Sequence, residues 1–153
     1  MRFHIALVEP QIPQNTGNIG RLCVATNSCL HLVEPLGFDI SEKAVRRSGL
    51  DYWKHVDLVT HSNYAEFRAT LPATPKLWWF SKFAKKSIFE AQFQDGDYLI
   101  FGQETKGLPE AVREAEPEEQ LLQIPMFSEK IRSLNLANAA SIAVYEAIRQ
   151  TQK

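Results

Sequence analysis

The chain has 153 residues, 44% hydrophobic and 23% charged, with a formal net charge of −1. That length suits one domain around one core, and the balance excludes disordered and fibrous classes. No stretch approaches the ~20 uninterrupted apolar residues of a membrane helix. The near-neutral charge lacks the basic excess of many nucleic-acid binders, so the charges are either a solvated surface or, if nucleic acid binds, a small footprint or one shared between two subunits.

The N-terminal MRFHIALVEPQ reads as a strand rather than a secretory leader. Its apolar run breaks at Glu9-Pro10 and no small-residue cleavage site follows, so a cytoplasmic location is expected. Cys23 and Cys29 have no matching Cys or His pair and are expected as buried free thiols. His4, His31, His55 and His61 are scattered along the chain without ligand spacing, and no metal is expected.

In chain order, Phe3–Val8 is an apolar run of strand length. A helix over Gly17–Ala25 follows, then a strand at Leu30–Val33 closed by Pro35 and Gly37. Glu42–Ser48 is a short helix with Gly49 as its stop. Val56–Thr60 is a third strand, and Asn63 caps a helix through Ala69. Leu77–Phe80, Tyr98–Phe101 and Leu121–Ile124 are three more strands, with a helix at Leu108–Ala115 between the last two. A final helix from about Asn135 to Gln150 carries Leu136, Ala139, Ala140, Ala143, Val144 and Ala147 on one face, packed either on the sheet or on a second subunit. Strands alternating with helices predict an α/β domain over residues 1–153, with a mostly parallel six-stranded sheet and helices on both faces.

No GxGxxG, GxxxxGK[ST] or GxSxG motif occurs, which argues against a conventional dinucleotide site, a P-loop and an esterase nucleophile. The strand ends carry other signals. Pro13–Asn18 (PQNTGN) follows the first strand, with Arg21 one turn further. FGQETKGLP, 101–109, follows the fifth; its two glycines allow a tight loop whose backbone can approach a ligand. Ile124-Pro125-Met126 follows the sixth, and RSLNLAN, 132–138, opens the last helix.

Together, Asn15 with Arg21, FGQETKGLP, and IPM followed by RSLNLAN resemble the three signature motifs of the SPOUT RNA 2′-O-ribose methyltransferases. The resemblance runs along the whole chain. EPQIPQNTGNIGRLC, LVEPLGFDISEKAVRRSGLD and GDYLIFGQETKGLP look most like its minimal members, which modify the wobble nucleotide of tRNA. The resemblance implies a C-terminal trefoil knot and a homodimer that takes the tRNA anticodon stem-loop. It implies S-adenosylmethionine held by Phe80, Gly102, Ile124, Ser133 and Leu134. Arg21 and Asn15 are expected beside the ribose hydroxyl, with Ser133 and Asn135 opposite. Arg46, Arg47, Lys82 and Arg132 are expected to grip RNA phosphates. An arginine is a poor base at a pKa above ~12, so Arg21 is read as an orienting and charge-stabilising group. The alternatives are another tRNA or ribosomal RNA position, or a knotted RNA-binding protein without catalysis. The link 127–131 is one residue longer than the family pattern, and Ala137 stands where serine is usual.

Overall fold

The structure is a computed structural model that describes residues 2–40, 51–74 and 76–152. The helix expected at 42–48, with Arg46 and Arg47, lies outside the described residues.

The strands are β1 (His4–Val8), β2 (Cys29–Val33), β3 (Asp57–His61), β4 (Leu77–Phe80), β5 (Lys86–Ser87), β6 (Tyr98–Phe101) and β7 (Leu121–Gln123). The helices are α1 (Pro13–Ala25), α2 (Tyr64–Thr70), α3 (Glu110–Ala115) and α4 (Leu136–Thr151). The sheet has seven strands rather than the six expected, in the order β3-β2-β1-β6-β4-β7-β5, and all its paired strands run parallel. The unforeseen strand is β5, a Lys-Ser pair matched to Leu122 and Gln123. Two half-exposed polar residues carry no apolar period from which a strand can be read.

Both sheet faces are covered, as expected for buried parallel strands. Ile5, Leu7, Leu30, Leu32, Trp78, Phe80, Leu99 and Phe101 pack on one face against Ile19 and Cys23 of α1 and the small-residue side of α4. Ala6, Val8, Val33, Trp79, Tyr98 and Ile100 pack on the other, against Phe67 of α2 and Val112 of α3. Trp78 and Trp79 therefore enter opposite halves of the core, and neither is a surface platform for a base. Asp97, fully buried, accepts from Trp78 Nε1 at 2.8 Å, Gln94 N at 2.9 Å and Lys76 N at 3.0 Å. This ties the turn before β6 to β4.

Of the face of α4 offered above to sheet or subunit, Leu136, Ala140, Ala143, Val144 and Ala147 are buried within the chain, together with Ala137, whereas Ala139 is half-buried and lines the cleft described below. The other side of α4 exposes Ile142 and Tyr145. Both cysteines are buried and free. Among the described residues, no helix is long and apolar enough to cross a membrane.

Candidate active site

The loops after β1, β4, β6 and β7 converge at the ends of the central strands, where parallel α/β sheets commonly take ligands. The loop after β6 sets the shape. Gln103 N donates to Gly107 O at 3.2 Å and Gly107 N donates to Gln103 O at 3.0 Å, closing a tight hairpin. Gly107 has φ of +68°, a conformation that favours glycine. A Cβ on Gly102 would land on the Gly107 carbonyl carbon and the Leu108 nitrogen. The obstacle to a side chain at 102 is thus the loop's own backbone, before any ligand is considered.

The same loop organises α1. The helix begins at Pro13, not at the expected Gly17, and its N-cap residue Ile12 has no side-chain cap. Glu104 supplies the cap from across the sheet: Gln11 N donates to its Oε2 at 2.8 Å and Ile12 N to its Oε1 at 2.9 Å. A carboxylate there also suits the positive end of the helix dipole. Asn15, buried in the first turn, donates to Glu104 Oε1 at 3.5 Å and accepts from Asn135 Nδ2 at 3.1 Å. Asn135 Oδ1 accepts from Asn138 N at 3.2 Å and so caps α4. One polar chain, Glu104–Asn15–Asn135, locks three loops together. Asn15 and Asn135, expected on opposite sides of a substrate hydroxyl, are direct partners. Glu104 stands out in the sequence as part of the FGQETKGLP motif, but not as the cap of α1; the signal for that role was an acidic residue in a loop beside an uncapped, Pro-led helix.

Next to this chain lies a cleft of about 820 Å³ including its open mouth. Phe80, Phe101, Leu122, Ile124 and Leu136 give it an apolar floor, and Phe80 and Phe101 stack at 4.6 Å. All five expected cofactor positions, Phe80, Gly102, Ile124, Ser133 and Leu134, line this one cleft. Lys82 also lines it and is exposed, and Arg132, exposed as well, stands next to Ser133 in the chain. Lys106, Arg113 and Phe83 were not foreseen; the Arg113 guanidinium lies 4.4 Å from the centre of the Phe83 ring. Arg21 does not line the cleft. It is exposed on α1 with its guanidinium 5.8 Å from the Tyr52 ring centre, and Tyr52 Oη donates to Gly17 O at 2.8 Å.

A second polar cluster lies elsewhere on the sheet. Pairing of β1, β2 and β3 gathers three histidines that are scattered in sequence. His4 Nδ1 stands 2.9 Å from His31 Nε2, and His31 Nδ1 stands 3.0 Å from His61 Nε2. Burial pushes the His31 pKa down to about 3, helped by the neighbouring charges of His4, His61 and Arg2. Burial lowers His4 and His61 as well.

Against known proteins, the SpoU rRNA Methylase family model matches residues 2–145. The chain belongs to that family. A tRNA (cytidine(34)-2'-O)-methyltransferase of Saccharophagus degradans is 48% identical over 148 residues, covering 97% of this chain and 95% of that protein. A solved structure described as giving insights into the 2-OH methylation of C/U34 on tRNA matches with a TM-score of 0.91 and 47% identity, covering 97% of this chain and 95% of that one. The SpoU methyltransferase AviRb of Streptomyces viridochromogenes, solved with AdoMet, matches at 0.80 and 28% identity over 96% of this chain and 57% of that one.

Proposed function

We propose that this SpoU-family chain is an S-adenosylmethionine-dependent tRNA methyltransferase acting on the 2′-oxygen of the wobble nucleotide. The observation that carries the reading is the convergence of the three motif loops on one cleft, joined by the Glu104–Asn15–Asn135 chain. Near-full-length relatives that methylate this position support the choice of substrate.

The cleft fits the cofactor on its own terms. Its floor is apolar, built from Phe80, Phe101, Leu122, Ile124 and Leu136. Gly102 has no room for a side chain, so backbone forms that wall. Phe80, Gly102, Ile124, Ser133 and Leu134 would hold the cofactor, which supplies an electrophilic methyl group on a sulfonium.

The protein's part is to align the ribose oxygen with that methyl group and to steady the charge as the 2′-proton leaves to water or a phosphate. An alkylation of this kind would call for no metal, and the residues' part in it is positioning. Ser133 stands in the cleft wall with its hydroxyl available to the ribose. Asn15 and Asn135 hold the loops that frame it. Arg21, outside the cofactor cleft, serves the RNA: its planar guanidinium grips a phosphate beside the target ribose. Lys82, Arg132, Arg46 and Arg47 extend that grip along the anticodon stem-loop.

Two further readings belong with this function. The C-terminal part is a trefoil knot, which is supported by β7 lying between the earlier strands β4 and β5 while α4 packs back on β6 and α1. The enzyme is a cytoplasmic homodimer, and exposed Ile142 and Tyr145 on α4 support an interface there. Incubating purified protein with S-adenosylmethionine and unmodified tRNA, then mapping methylated nucleotides by mass spectrometry, tests the reading. One 2′-O-methyl group at the wobble nucleotide is expected; methylation elsewhere, or none, would refute it.

A further inference from the structure

The histidine cluster takes no part in the cleft, and its composition is unusual for where it sits. Phe67 and Tyr98 pack against it, on the core face of the sheet that also carries Ala6 and Ile100 and that aliphatic side chains would fill more cheaply. His4 opens β1, Cys29 opens β2 as its register partner, and His31 follows on the same face of β2. The His4, Cys29 and His31 ligand atoms all lie within 4.8 Å of one another. We propose that His4, Cys29 and His31 form a binding site for one zinc-class divalent ion that staples β1 to β2.

Zinc takes nitrogen at ~2.0–2.1 Å and sulfur at ~2.3 Å in a tetrahedron, which sets its ligand atoms roughly 3.3–3.6 Å apart. The histidine pair, now 2.9 Å apart, has to open by a few tenths of an ångström. Cys29 has to close in from a separation of at most 4.8 Å, by up to roughly 1.2–1.5 Å, within reach of a side-chain adjustment. The surroundings are already those of a ligand set. His61 engages the second nitrogen of His31, leaving Nε2 directed at the site, as outer partners do for metal-bound imidazoles. Tyr98 stacks on His4 at 4.2 Å and fixes its ring plane. The thiol proton passes to solvent as the ion enters. His4 is only half-buried, so water completes the fourth position. The neutral imidazoles and thiolate select a borderline-soft ion over magnesium or calcium.

The test is cobalt(II) titration of the full-length protein after chelation, followed by zinc competition. One equivalent is expected, with a thiolate-to-cobalt charge-transfer absorption that zinc abolishes. Cys29→Ser should remove that absorption with the circular dichroism unchanged, and His31→Gln should lose saturable binding. Zinc should raise the Tm of the parent protein but not of Cys29→Ser. The parent titration needs no variant to fold. Absence of the charge-transfer absorption at saturating cobalt would overturn the proposal, as would its survival in Cys29→Ser. Methyl transfer, measured separately, should not change with zinc.

Discussion

Arg21 divides the chemistry of this protein between two places. It lines no part of the cleft proposed for the cofactor, and the role proposed for it is on RNA. Arg21→Ala is therefore expected to lower single-turnover methylation of tRNA by about 100- to 1,000-fold, the cost of losing one preorganised charge-stabilising donor. Cofactor affinity by calorimetry should stay put, and Arg21→Lys should rescue poorly because an ammonium lacks the planar fork. Gly102 behaves the opposite way. Any side chain there collides with Gly107 and Leu108 of its own loop. Gly102→Val should abolish cofactor binding and also lower the Tm, since the hairpin that carries Glu104 must open. A variant with normal Tm and normal cofactor affinity would show that this loop does not form the cleft wall.

The helices and loops are held by bonds that reach across the sheet. Glu104 caps α1 in place of any residue of α1's own, so Glu104→Ala should cost about 0.5–2 kcal/mol, the usual range for a lost cap. Denaturant unfolding measures that loss directly. Asp97→Ala strands the buried Trp78 indole N–H and takes the acceptor from the backbone N–H groups of Gln94 and Lys76, two exposed residues. The unmet buried donor alone should cost ~1–3 kcal/mol, read by denaturant unfolding. These cross-sheet bonds also explain what the sequence left unread. The apolar positions Ile19, Leu22, Cys23 and Ala25 start the helix at Gly17 in the sequence; the true start at Pro13 has no side-chain cap of its own, and its cap, Glu104, stands 92 residues from Ile12. Strands β1, β2, β4 and β6 were legible since their burial is nearly continuous. The short β5 was not, because at two residues its identity comes only from pairing with β7.

For the molecule as a whole, resemblance in the motifs carried further than the general rules of chain reading. The positions expected for the cofactor, Phe80, Gly102, Ile124, Ser133 and Leu134, fall on one cleft because strand order brings β6, β4 and β7 side by side. Histidine spacing, in contrast, said nothing of the cluster that sheet register builds from His4, His31 and His61. The outward side of α4 belongs to this scale too. With its small residues already used inside the chain, Ile142 and Tyr145 are what remains for a partner. Tyr145→Asp with Ile142→Asp should convert a dimer to a monomer by light scattering and reduce methylation of tRNA, while cofactor binding to each chain persists. The central claim is that the accepting atom is the wobble 2′-oxygen. It is tested most directly by two anticodon stem-loop tRNA substrates that differ only in a 2′-deoxy ribose at the wobble position. The account predicts transfer of one methyl group to the ribose substrate and none to the deoxy substrate; equal methylation of both would contradict it.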